Sequence, residues 1–421
     1  MALDLEDMLE KYADLIVKVG LNLQPGQRLL IKGEATLTNG VPIEAAPLVR
    51  QVAASAYRQG ARLVDVIWGD AEVHLARFRH ASREALGEFP DWQVDGLLSY
   101  IQGGDAVLIV MAESPELLDG QDPAAVADYQ ETVLRHTRVV RDLLMRDVVP
   151  HVVVCAAVPV WAAKVFPSLP PGERLDRLWD AVFEICRLKQ ADPIAAWQDH
   201  IHQLAVREDY LTHKQYAALR FTGPGTDLSV GLPRGHTWIS VTSASQNGIK
   251  FASNIPTEEV FTLPHRDKTQ GVVTASKPLS LSGVLLENVS LAFEEGRVMR
   301  ATADRGEAAL RRLIEMDEGA GRLGEVALVP HSSPISQSGL LFYNALIDEN
   351  AASHLALGRA YPTCLTGGLG MSDVELAVAG ANLSLIHEDF MIGSAQMDVD
   401  GLREDGGSEP VMRSGEWTFR V

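Results

Sequence analysis

Several common chemistries lack their usual signatures in this 421-residue chain. GPGTDL at 223–228 carries only two glycines and opens no helix, so it is not the dinucleotide fingerprint. There is no GxxxxGKS/T phosphate loop, no HExxH and no GxSxG nucleophile elbow. Cysteine is scarce: Cys155, Cys186 and Cys364 are far apart and odd in number, which argues against a disulfide framework or a zinc ribbon. No apolar run reaches the roughly 18 residues of a membrane-spanning helix. MALDLEDMLEKYADLI is acidic and amphipathic, unlike a secretory signal, so a cytoplasmic location is expected. Positive charge is in deficit: the net charge of −19 argues against nucleic acid and anionic membranes as partners, since both need basic surface.

What is present is a well-mixed globular composition, 46% hydrophobic and 22% charged, with length enough for two or three domains. The first half alternates. RLLIKG, RLVDVIW, DAVLIVM and HVVVCAAVPV read as short apolar strands, separated by longer helical patterns. That alternation predicts parallel βαβ units in a layered α/β domain over 1–217. The helical pattern dominates from about 160 to 215. Beyond residue 218, strands joined by Gly/Pro turns predict an α+β domain over 218–421 built on antiparallel strands.

Polar groups in apolar settings gather in this second half. In SLIHEDFMIGS (384–394) strand alternation puts His387 and Asp389 on one face and Glu388 on the other. A buried carboxylate without a partner costs several kcal/mol, so that face is either wet or neutralised by something cationic. NIPTEEVFTLPHRD offers Glu258 and Glu259, and GEVALVP offers Glu325 at the mouth of a strand. DENAASHLALGRAYP predicts a short helix capped by Asp348 or Asn350, carrying His354 and ended by Gly358, with Tyr361 just beyond. Each has an ordinary reading: a solvated acid, a strand-edge charge, a core histidine, a core tyrosine. Together, carboxylates and imidazoles are the ligand set of a hydrolytic zinc, cobalt or manganese site. They are numerous enough for two ions about 3.5–4 Å apart.

These segments, with FEEGRV and GLLFYNALIDENAASHLALGRAY, resemble the M29 family of metalloaminopeptidases in type and order across most of 218–400. The resemblance implies a two-domain homodimer, an enclosed cavity and two divalent metal ions. It implies metal ligands at Glu259, Glu325, His354, Tyr361, His387 and Asp389. It also implies hydrolysis of the N-terminal bond of peptides with a free N-terminus. Glu325 is expected to bridge the ions or carry protons, and Tyr361 to ligate or to stabilise the oxyanion. Glu349 and Asn350 are expected to hold His354 in one tautomer. Glu388 departs from the small apolar residue expected there, on the face away from the ligands. The stretch 363–382 is a candidate border of the substrate pocket. Competing readings are a two-metal hydrolase of another amide or ester, a non-catalytic metal-binding dimer, and a nucleotide-binding protein. The last is disfavoured by the missing glycine motifs.

Overall fold

The structure, a computed structural model, describes residues 5–34, 40–112, 114–281 and 284–419. The chain divides into two compact units: 1–200 with 242–257, and 201–241 with 258–421. A single cut at 217/218 departs from this division at two places: 201–217 groups with the second unit and 242–257 with the first. No described helix is long and apolar enough to cross a membrane.

The first unit is built on a five-stranded parallel sheet, ordered 254–255, 151–155, 106–111, 28–33 and 63–66. Its central strands are apolar on both faces because helices cover both, and Leu29, Ile31, Val107, Leu108, Val152 and Val154 are fully buried. The four strands read from the sequence are all present. The fifth, Asn254–Ile255, is too short to leave a periodic signal. The helices between strands are amphipathic. In Pro123–Leu144, for example, Tyr129, Val133, Val140 and Leu144 are buried, and the Asp122 side chain caps its first turn. The helix Pro193–Lys214 carries the chain into the second unit.

Among the described residues the second unit contains three antiparallel sheets, the smallest being the two-stranded pair Leu279–Leu281 and Val284–Leu286. Eight strands form the largest, with 218–223 and 226–231 near its middle. A small sheet has four strands, in the order Val260–Thr262, Leu323–Leu328, His354–Gly358 and His387–Met391. This small sheet positions the candidate site. His354 therefore opens a strand and does not ride on a helix. The helical pattern stops earlier, as a helix at Ala345–Asp348 and a 3-10 turn at Glu349–Ala351. The segment HLALG pairs on both sides, with Leu323–Leu328 and with His387–Met391, and these ladders override its weak helical preference.

Candidate metal centre

Register in the small sheet brings distant residues onto one face. Asp389 lies opposite Ala356, and Ala356 lies opposite Glu325. Two residues along their strands, on the same face, stand His354 and His387. Glu388 pairs with Leu357 and belongs to the other face. Glu325 sits inside its strand rather than at the mouth. A bulge between Leu323 and Glu325 aims it, and Gly324 permits the bulge, since a Cβ there would meet the carbonyl oxygens of Gly358 and Arg359 at 2.4–2.5 Å. Gly358, at φ +103°, ends the His354 strand where it faces His387.

Two groups of donors result: Glu259, Glu325 and His354, and Glu325, His387 and Asp389. Glu325 belongs to both. Its Oε1 is 3.4 Å from His354 Nε2, and its Oε2 is 3.6 Å from His387 Nε2. His354 Nε2 is 2.9 Å from Glu259 Oε2, and His387 Nε2 is 3.7 Å from Asp389 Oδ2. Each imidazole is oriented by a backbone carbonyl on its other nitrogen: Ala352 for His354 Nδ1 at 3.1 Å, Arg359 for His387 Nδ1 at 2.7 Å. A proton on each Nδ1 satisfies those carbonyls and leaves each Nε2 facing the carboxylates, where a bound cation would replace its proton. The expectation that Glu349 and Asn350 fix the His354 tautomer is thus corrected; the Ala352 carbonyl does so. Tyr361 packs edge-on against His387, with ring centroids 5.0 Å apart, and Phe261 packs edge-on against Tyr361 at 5.6 Å.

The electrostatics are those of acids crowded together without enough positive charge. Burial, then the neighbouring Asp389 and Glu259 charges, push the Glu325 carboxyl up to about 7 against the opposing pull of the histidines. Glu349 is raised well above the usual carboxylate range by burial and by Asp389 and Glu259. Burial pulls His354 down, but its contacts with Glu259 and Glu325 win and hold it well above the ordinary imidazole value. Burial, then the Glu325 and Asp389 charges, raise the Tyr361 phenol, so it keeps its proton. Asp389 Oδ1 is buried and lacks a hydrogen-bond donor, and the buried Glu259 Oε2 faces His354 Nε2 at 2.9 Å. Crowded inward-facing carboxylate oxygens beside two imidazole nitrogens fit divalent cations in oxygen and nitrogen coordination.

The sequence matches the family described as thermophilic metalloprotease (M29) over residues 5–417. The chain belongs to the M29 family. It is 44% identical to aminopeptidase 2 of Geobacillus stearothermophilus, covering 99% of both chains. It is 45% identical to aminopeptidase T of Thermus thermophilus, covering 97% of this chain and 98% of that one. The solved structure of wild-type AmpT from Thermus thermophilus superposes with a TM-score of 0.90 at 43% identity, over 98% of this chain and all of the other. Membership makes this M29 protein a metal-dependent hydrolase of peptide bonds.

Four features of the centre escape a reading of the sequence: the small Ala356 between two acids, the Gly324 bulge, the carbonyl partners of both imidazoles, and the contact between Phe261 and Tyr361. A signal for the first was available. Read as a strand, His354, Ala356 and Gly358 share a face of steadily smaller side chains, which leaves space beside the histidine.

Proposed function

We propose that this M29 protein is an aminopeptidase that releases the N-terminal residue of peptides, using two divalent ions held by Glu259, Glu325, His354, His387 and Asp389, with Tyr361 beside them. The observation that carries this reading is the membership of Glu325 in both donor groups, one oxygen towards each histidine. Three carboxylates beside two dications would leave a small net positive charge in the pocket. When bound, such ions supply Lewis acidity and an activated water near neutral pH.

The protein's own groups divide the remaining work. Glu325, with one oxygen towards each histidine, would help hold both ions, so proton transfer to the leaving amine would fall to another acid. Glu349, with Oε1 held by Asn350 Nδ2 at 3.3 Å, is the nearby carboxyl left for it. Tyr361 retains its hydroxyl proton and can donate it in a hydrogen bond to the developing oxyanion. Phe261 and the Leu365–Leu376 cluster, packed around Tyr361, keep that side of the centre apolar. The homodimer and the cytoplasmic location rest on the family resemblance and on composition. Sedimentation of the purified protein tests the first.

The deciding experiment measures free amino acids released from short peptides with free and with blocked N-termini, after chelation and after return of zinc, cobalt or manganese. Metal-dependent release from free N-termini alone is expected. Release from blocked peptides, or full activity after chelation, overturns the reading.

A further inference from the structure

Four of the five carboxylate and imidazole donors stand on strands of the small sheet, where ladder hydrogen bonds fix their backbones. Glu259 does not. It lies in the irregular stretch 257–259, one residue before the strand Val260–Thr262. Something outside the ladder must set its position.

Asn350 supplies that restraint. It is fully buried. Its Oδ1 accepts the Glu258 backbone N–H at 2.7 Å, on the residue immediately before Glu259. Its Nδ2 donates to the Leu346 carbonyl at 3.1 Å and to Glu349 Oε1 at 3.3 Å. Its own carbonyl accepts from Ser333 Oγ at 3.3 Å. Only a neutral amide offers an acceptor for one element and two donors for another. We propose that Asn350 is a positioning residue of the metal centre: it holds Glu259 in reach of His354 through the Glu258 amide, and it orients the Glu349 carboxylate through its own NH2 group. This rests on the metal-binding reading above, and it replaces the link from Asn350 to His354 that the sequence suggested.

The two halves of the amide separate by substitution. Asn350→Leu removes both. Asn350→Asp keeps an acceptor for Glu258 N–H but loses the donors and sets a second carboxylate against Glu349. Zinc affinity, measured by chelator competition on purified protein of verified thermal stability, is expected to fall about 10–100-fold in Asn350→Leu, the usual effect of removing a residue that orients a ligand. In a Glu259→Ala background the same substitution is expected to cost no further affinity, which a merely structural role would not produce. Asn350→Asp is expected to keep zinc affinity within about threefold while kcat falls about tenfold or more. If Asn350→Leu fails to fold, Asn350→Asp alone decides. Affinity unchanged in Asn350→Leu, an equal loss in both backgrounds, or Asn350→Asp losing zinc or keeping full kcat overturns the proposal. A wild-type protein that binds no zinc, cobalt or manganese overturns the metal-centre reading together with it.

Discussion

Asp389 faces Ala356 directly across the antiparallel ladder, so an acid of the centre stands beside one of the smallest side chains on that face. On its other side Ala356 faces Glu325. The methyl group leaves open the volume between two carboxylates. Ala356→Leu fills it. Overpacking at this buried site costs about 1–3 kcal/mol, which a protein of this size survives. The expected result is a folded variant with a modestly lower melting temperature and metal content well below that of the wild type. Normal metal content in a folded Ala356→Leu protein rules out this face as the binding surface.

Removal of single donors gives a sharper outcome. His354→Ala, His387→Ala and Asp389→Ala each delete a group from a pocket already crowded with acids, and none deletes a packing core. Peptidase activity is expected to fall by more than the roughly 100-fold that marks loss of a supporting residue, with the far-UV spectrum unchanged. Near-wild-type turnover in any one of the three contradicts its assignment.

The sequence exposed much of this centre because donors on strands obey a period of two: the pairing of His387 with Asp389, and the placing of Glu388 opposite, follow from spacing alone. The parallel sheet was legible for a similar reason, since strands buried on both faces read as continuous apolar runs. His354 was misplaced on a helix because ENAAS is compatible with a helical turn, and the ladders that claim HLALG come from chain about 30 residues away on either side. Local propensity cannot see such partners. The role of Asn350 was hidden likewise, because its partner Glu258 is separated from it by 92 residues.

Outside the site, His151 gives a pH dependence with a definite sign. Burial lowers its pKa from 6.5 to about 4, only partly opposed by the Val149 carbonyl near Nδ1. The folded protein keeps this ring neutral while the unfolded chain protonates it below about 6.5. The unfolded state therefore binds more protons between pH 6.5 and about 4, and stability falls as pH drops through that window. The loss attributable to His151 is on the order of 2 kcal/mol, the ring being partly exposed. Urea denaturation of the wild type and of His151→Gln at pH 7 and pH 5 measures it. The variant should lose less stability between the two pH values, and parallel losses would exclude His151 as the cause.

Tyr361 separates two roles that the family resemblance leaves joined. As a metal ligand it would need to bind through its oxygen, and its loss would lower metal content. As a hydrogen-bond donor it would matter only when negative charge develops on the substrate. Its phenol is raised by burial and by Glu325 and Asp389, which favours the neutral, proton-donating form. Its ring is held by contacts with His387 and Phe261 that phenylalanine retains. Tyr361→Phe is therefore expected to keep its metal and its melting temperature while kcat drops about 10²-fold, the usual effect of losing one oxyanion donor. KM should change little, because the ground-state carbonyl carries less charge than the transition state. Metal analysis beside steady-state kinetics distinguishes the cases: lost metal makes Tyr361 a ligand, and full kcat with full metal leaves it a packing residue.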